Sequence, residues 1–288
     1  MENIKDIKRR MKSISSINQI TTAMKLVSAA KLRKAKRQFD HTKHYFQYVI
    51  SALENLFNSG VEVPDDYLPE NRKIVKTAYV IITSNRGLAG SFNQNVIKKA
   101  EQEMAEDSEK PVIIAVGGKG KEYFEKRGYD IAESYLRPPE DIEFANTLGI
   151  SDAIVDFYDK KEVDEVMIIW TAFKTPMEQE VRTKILLPFD EDLTYPEDKK
   201  ETMPIYIEYE PSPQKVFNYL VPKYFQIKLY NAIVESATCE HQARRIAMEN
   251  ASDNASEMIE ELNLFYNRAR QAAITSEITE IVSGADAI

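Results

Sequence analysis

Two glycine-containing turns hold the residues best placed to do chemistry. Ser84-Asn85-Arg86-Gly87-Leu88-Ala89-Gly90-Ser91 joins an apolar run to an amphipathic one, and Gly117-Gly118-Lys119-Gly120-Lys121 does so again further along. A turn of this kind between strand and helix is where α/β proteins hold phosphates, because backbone N–H groups and the helix dipole converge there. Neither turn has the Lys-Ser/Thr pair of a phosphate-gripping loop, and neither has the glycine spacing of a dinucleotide fingerprint. Both are expected to serve tight geometry instead. His41 and His44 lie three apart on one helical face beside Lys43, with no third ligand in view, so they read as solvated residues rather than a metal site. Cys239 is the one cysteine and cannot form an internal disulfide. No Ser/His/Asp or Cys/His set suggests itself, and the many carboxylates of the middle read as surface. The residues give little reason to place catalysis, a cofactor or a metal on this chain.

The elements that would carry these residues are marked by punctuation. All 12 prolines lie between positions 64 and 222, the first glycine is Gly60, and none occurs between Gly149 and Gly284. Each end can therefore be one long helix, with a folded domain between them. Stepping 4, 3, 4, 3 from Tyr230 gives Val234, Ala237, His241, Arg244, Met248, Ala251, Ala255, Met258, Leu262, Phe265, Ala269 and Ala272. Only His241 and Arg244 break this apolar seam, and His241 reads as a register-setting polar residue. At the other end Ile4, Ile7, Met11 and Ile14 step 3, 4, 3, and so do Ile17, Ile20, Met24 and Val27 after a one-residue slip, the mark of a stammer. Apolar positions continue to Leu56, and Asn58-Ser59-Gly60 closes the helix. Helices over 2–58 and 223–282 would be about 85 and 90 Å long. One compact domain separates them, so they run antiparallel, and each carries an apolar stripe that the other can cover.

The middle alternates strand and helix. Strands are expected at Thr77–Ser84, Pro111–Val116, Asp130–Tyr135, Glu165–Thr171, Glu180–Pro188 and Pro204–Tyr209. Helices are expected at Phe92–Glu106, Lys119–Lys126 and Ser151–Lys160. Asp190–Glu201 reads as an acidic loop. Ser212-Pro213 opens a short helix that Pro222 ends or kinks. The fold class is α/β with long helical extensions: an antiparallel coiled coil of 1–60 and 212–288, and a central three-layer, Rossmann-like α/β domain over 61–211.

Composition narrows the function classes. With 43% hydrophobic and 29% charged residues the chain is an ordinary folded one. Its best apolar run, Val166 to Trp170, is far short of the roughly 18 residues needed to span a bilayer. A charged start with no apolar stretch behind it argues against a secretory signal. The net charge of -8 hides an asymmetry: residues 1–38 hold eleven Lys and Arg against Glu2 and Asp6. A basic segment suits nucleic acid, an anionic membrane face or an acidic protein. Base reading would need aromatic groups among the charges, and none occurs before Phe39. A nucleotide-binding enzyme built on the middle domain is a further alternative, which nucleotide binding by residues 73–210 would support.

The C-terminus is more specific. Ile274-Thr275-Ser276-Glu277-Ile278-Thr279-Glu280 through Gly284-Ala285 resembles the signature of the γ subunit of F-type ATP synthases. Ile20-Thr21-Thr22-Ala23-Met24-Lys25-Leu26-Val27, Ala30-Lys31-Leu32-Arg33-Lys34, Arg86-Gly87-Leu88-Ala89-Gly90, Tyr209-Glu210-Pro211 and Glu240 through Met248 are similar to that family too, in the family's order. The resemblance implies a central-stalk rotor of bacterial type, non-catalytic, at the cytoplasmic face of the cell membrane as a peripheral protein. Its partners would be the α and β subunits of the catalytic hexamer, the ε subunit and the membrane c ring, with the nucleotide sites on β. Residue by residue, it implies β-subunit contacts for Met24, Lys25, Arg270, Gln271, Thr275 and Glu277, and a c-ring coupling role in the foot for Glu210. Relatives often carry Cys where this chain has Ala89, and chloroplast relatives carry a two-cysteine insert that is missing here, which argues against thiol control.

Overall fold

The computed structural model describes residues 4–59, 61–64, 67, 74–105, 107, 109–137, 143–175, 178–189 and 207–286. The chain divides into two compact units, Met1–Ala29 with Arg244–Ile288, and Ala30–Ala243. The two long helices are α1 (Ile4–Asn58) and α5 (Pro213–Asp286). The division cuts both of them rather than separating helices from sheet.

In the larger unit, β1 (Thr77–Ile82), β2 (Val112–Val116), β3 (Ile131–Tyr135), β4 (Glu165–Phe173) and β5 (Gln179–Leu187) form one sheet in the order β3-β2-β1-β4-β5. The first four are parallel and β5 is antiparallel to β4. β1 is buried at all six residues, as a central strand covered on both faces must be, and so it reads as a continuous apolar run. Its side chains alternate between two cores. Tyr79 and Ile81 pack with Val96, Ile97 and Phe124 of α2 (Phe92–Met104) and α3 (Gly118–Glu125). Ala78, Val80 and Ile82 share a second cluster with Ile150, Ile154 and Tyr158 of α4 (Phe144–Asp159), and with residues of α1 and α5. This is the expected three-layer arrangement. The expected strand at Pro204–Tyr209 and the loop Asp190–Glu201 fall largely or wholly outside the described residues, and 207–209 are not strand.

Two expectations about the helices are corrected here. α4 begins at Phe144 rather than Ser151: Glu143 and Asn146 form a capping box, and the Phe144 ring meets Tyr230 edge-on at 5.6 Å. α5 runs through Pro222 without a break. Pro222 is exposed, whereas Val221, Tyr224 and Phe225 on either side are buried. The hydrogen bond lost to proline therefore falls on the wet face, and aromatic packing outweighs a cost of about 3 kcal/mol. That packing centres on Phe189, whose ring lies within 5.5–6.4 Å of Phe57, Tyr67, Phe217, Tyr224 and Phe225.

In the smaller unit the two helices run antiparallel, as expected. Asn18 Nδ2 donates to Ser256 Oγ at 3.1 Å, Ser252 Oγ donates to Asn18 Oδ1 at 2.6 Å, Thr22 and Ser252 share a hydrogen bond of 2.9 Å, and Lys25 lies 3.7 Å from Glu249. Partner numbers fall on α5 as they rise on α1. The seam is not the one the apolar pattern suggested. Ile7, Thr21 and Ser28 are buried, against Met248, Ser252, Ala255 and Leu262. The heptad of Ile4, Ile7, Met11 and Ile14 thus passes into Asn18, Thr21, Lys25 and Ser28 without a stammer. Ile17, Ile20 and Val27 are 49%, 59% and 56% exposed. Of Met258, Leu262 and Phe265, only Leu262 is buried; the other two are about half exposed.

The lower end of the sheet holds one charge-sensitive feature. Glu165 is 7% exposed, and its carboxyl is pushed above the usual range by burial and then by the nearby Asp107. A raised pKa means that the stabilising, protonated form is lost as pH rises through the folded-state value. Glu165→Gln is therefore expected to raise the melting midpoint at pH 7. The gain should shrink as pH falls toward the ordinary carboxylate range. Melts of both proteins across pH 4–8 check this, and a constant difference would mean that ionisation is not the cause.

Candidate functional site

The glycine turns are closed on themselves. The N–H groups at the start of α3 are all taken by protein: Gly118 N donates to Asn85 Oδ1 at 2.8 Å, Lys119 N to Ser84 O at 3.0 Å and Gly120 N to Thr83 Oγ1 at 2.9 Å. Asn85 is held in turn by its Nδ2, which donates to Leu136 O at 2.7 Å. In the first turn Ser84 N donates to Asn93 Oδ1 at 2.9 Å, and Ser84 Oγ donates to Arg86 O at 2.6 Å. A phosphate would have to break these bonds to be bound. In the second turn the glycines serve close approach: Gly117 has φ +104° and a Cβ there would lie 2.0 Å from Thr83 O, and one at Gly120 would lie 2.9 Å from Thr83 Oγ1. In the first turn nothing lies within 4 Å of a Cβ at Gly87 or Gly90, and only the φ of +57° at Gly90 favours glycine.

The crevice where this strand order would admit a ligand lies beyond the C-terminal ends of β1 and β4. Ala89 and Phe92 cluster there with Cys239 of α5, and Phe173 and Ala243 pack against them. Gln179 Nε2 ties the helix down by donating to Cys239 O at 3.0 Å. The helix stands where a nucleotide would. Cys239 is fully buried, and burial, then Glu235, pushes its thiol well above the ordinary range. Thiolate is the reactive form, so Cys239 is expected to resist iodoacetamide in the native chain at pH 8 and to react in denaturant. Stoichiometric labelling of native protein would contradict the burial.

The residues singled out by resemblance form separate patches. In the smaller unit Met24 is half-buried beside the partly exposed Lys25–Glu249 pair. Arg270, Gln271, Thr275 and Glu277 are all exposed, and Thr275 Oγ1 donates to Gln271 O at 2.9 Å within the helix. From Glu249 to Arg270 is about 30 Å along α5. Glu210 is exposed and belongs to the larger unit, beside the half-buried Tyr209. What sequence reasoning missed is the apolar outer surface. Ile17, Ile20, Leu26 and Val27 on α1, and Ile274, Ile278, Ile281 and Val282 on α5, are each 47–71% exposed. The spacing of Ile17, Ile20 and Val27 reads as seam, while Ile274, Ile278 and Ile281 lie beyond the last seam position, Ala272. On the α1 segment the usual pattern is inverted, with polar residues between the helices and apolar ones outside. An exposed apolar surface of this size marks contact with other proteins. Lys5, Lys8, Arg9, Arg10 and Lys12 are exposed on the same helix.

The comparisons with known proteins bear on the whole length. The family model described as ATP synthase matches residues 3–288. A protein of Alkaliphilus metalliredigens named ATP synthase gamma chain is 43% identical over 99% of this chain and 98% of its own. One of the same name from Symbiobacterium thermophilum is 42% identical over 100% and 99%. Among solved structures, a chain of the Euglena gracilis mitochondrial ATP synthase (OSCP/F1/c-ring) has a TM-score of 0.69 at 18% identity, over 99% of this chain and 94% of that one. That likeness is one of fold. With a family model over residues 3–288 and full-length matches at this identity, the chain belongs to the ATP synthase gamma chain family.

Proposed function

We infer that the chain turns as a shaft and holds no catalytic site of its own. As an ATP synthase γ chain it is the central-stalk rotor, carrying rotation between the membrane c ring and the catalytic β subunits, within the α/β hexamer. The observation that supports the non-catalytic reading is the turn before α3: the N–H groups that would hold a phosphate there donate to Asn85, Ser84 and Thr83, and Cys239 of α5 packs against Ala89 and Phe92 beyond the end of β1. The outward-facing apolar residues of α1 and the exposed C-terminal end of α5 suit a rod running inside a sleeve of other subunits. The basic residues suit acidic loops on the surrounding β subunits, in a loose and multivalent attraction that permits sliding. On this reading Met24, Lys25, Arg270, Gln271, Thr275 and Glu277 would make that contact and Glu210 the coupling to the c ring, a proposal whose support is the resemblance of the segments that hold them. The ε subunit is a further partner on the same ground. A peripheral place on the cytoplasmic side of the cell membrane follows from this reading. The functional division into two shaft segments, 1–60 and 212–288, and a domain over 61–211 is part of it.

The test is assembly. The chain is co-expressed with α and β subunits, pulled down and assayed for ATP hydrolysis. Ile20→Asp, at a position 59% exposed, should leave the chain's own melt within about 0.5 kcal/mol, as surface changes do. Assembly or hydrolysis should fall at least several-fold. Unchanged assembly with Ile20→Asp would show that the exposed stripe is not the contact, and ATP turnover by the chain alone would overturn the non-catalytic reading.

A further inference from the structure

The larger unit contains a cavity of about 620 Å³ between the α1–α5 pair and the β4–β5 hairpin. This is within the range of roughly 300–1,000 Å³ of pockets that hold small molecules. Its depth is apolar, with Phe46 and Ile50 of α1, Ile168 and Trp170 of β4, and Tyr224 of α5. Its β5 side is cationic. Arg182 pairs in register with Trp170, and Lys184 with Ile168, so two cations occupy strand positions that face the helices, where packing alone would favour apolar side chains. Lys174 and Lys228 complete four cations against two acids, Asp40 and Glu235.

The walls are fixed. Glu235 accepts from Trp170 Nε1 at 2.7 Å and from the Phe173 backbone N–H at 3.0 Å, so its carboxylate is engaged on both oxygens. Lys228 Nζ donates to Ile185 O at 2.7 Å. Arg182 and Lys174 pair with Glu180 and Glu178 at 3.1 and 2.7 Å, with all four side chains about half exposed. Such exposed pairs contribute little and exchange readily with a better-held anion. Asn231, which also lines the cavity, keeps its Oδ1 buried without a hydrogen-bond partner.

We propose that this cavity is a binding site for a small amphipathic anion, an alkyl or aryl body ending in a carboxylate, with the body against Trp170, Phe46 and Tyr224 and the carboxylate toward Arg182 and Lys184. Nothing in the rotor role calls for such a site, and the proposal stands apart from that reading. Trp170 is the chain's one tryptophan, so its emission reports on the cavity.

The experiment titrates the full chain with decanoate below its aggregation concentration and follows Trp170 emission. Decyltrimethylammonium, with the same chain length and the opposite charge, is the control. Decanoate should give a saturable change, with a dissociation constant of about 10–300 μM, and the cationic amphiphile should give none. Arg182→Glu or Lys184→Glu should weaken decanoate binding about ten-fold. Ala232→Phe, which fills the cavity without changing charge, should abolish it. No saturable change up to about 1 mM, equal binding of both amphiphiles, or full binding by Ala232→Phe would each overturn the proposal. Melts run alongside show that each variant remains folded, and Gln47→Ala provides a second, milder change to the lining should Ala232→Phe fail to fold.

Discussion

Gly117→Ala is expected to destabilise the larger unit by about 3 kcal/mol or more, a loss large enough to unfold many domains. Two effects add. Gly117 sits at φ +104°, which L side chains rarely adopt, and its Cβ would be placed 2.0 Å from Thr83 O and 2.6 Å from the carbonyl carbon. Neither atom can move without moving β1, because Thr83 N donates to Val116 O at 2.7 Å. The start of α3 must back away, and the bonds from Gly118 and Gly120 to Asn85 and Thr83 go with it. Gly149→Ala provides the opposite sign. It lies inside α4 with nothing within 4 Å of a built Cβ, so removing glycine from a helix interior should raise stability by about 0.5–1 kcal/mol. Chemical denaturation of the two variants distinguishes a packing role for Gly117 from a ligand role. A mild effect on stability accompanied by lost activity in the assembled complex would mean that the turn does more than pack.

Much of the α/β unit could be read from the sequence because its central strands are short apolar runs rich in β-branched and aromatic residues. TAYVIITS and EVMIIWT have the apolar runs of strands, and each matches an observed strand to within two residues at either end. The reasoning failed where tertiary contacts override local signals. Pro222 reads as a break, yet the aromatic residues around it bury against Phe189 and hold the helix together. The sequence pattern starts α4 at Ser151, because the earlier start rests on a Glu143–Asn146 capping box and on a Phe144–Tyr230 ring contact across 86 residues.

The shaft misled for a different reason. Apolar periodicity locates buried faces only where the chain buries its own apolar residues. A helix that meets other proteins can carry its apolar stripe outward, and α1 does so over residues 17–27 while Asn18, Thr21 and Ser28 fill the seam. Small polar residues let the helices approach and tie them by hydrogen bonds, which fixes register at some cost in stability. The candidate contact residues were legible only through resemblance to a family. Arg270, Gln271, Thr275 and Glu277 are exposed on α5, and exposure alone does not set them apart from the other surface residues of the helix.

The seam assignment has a direct test at Leu262. This residue is 8% exposed, while its neighbours on the same stripe, Met258 and Phe265, are 48% and 56% exposed, and all three border a shallow hollow with Arg10 and Ile14. Leu262→Asp removes a buried side chain and leaves a charge where no solvent can fully reach it, at an expected cost of about 3–5 kcal/mol to the helix pair. Arg10 borders the same hollow and would recover part of that, so the lower end of the range is the firmer expectation. Phe265→Asp should cost the pair much less, about 1 kcal/mol, and Glu260→Asp, fully on the outside, close to nothing. The observable is local. Amide hydrogen exchange over residues 4–14 and 255–270 should accelerate in Leu262→Asp, while the sheet of the larger unit keeps its protection. Phe265→Asp should separate the two roles of the stripe by keeping exchange near that of the unaltered chain and still weakening assembly with α and β subunits. Should all three variants exchange and assemble alike, Leu262 is not part of the seam, and the pairing of α1 with α5 has been placed on the wrong face.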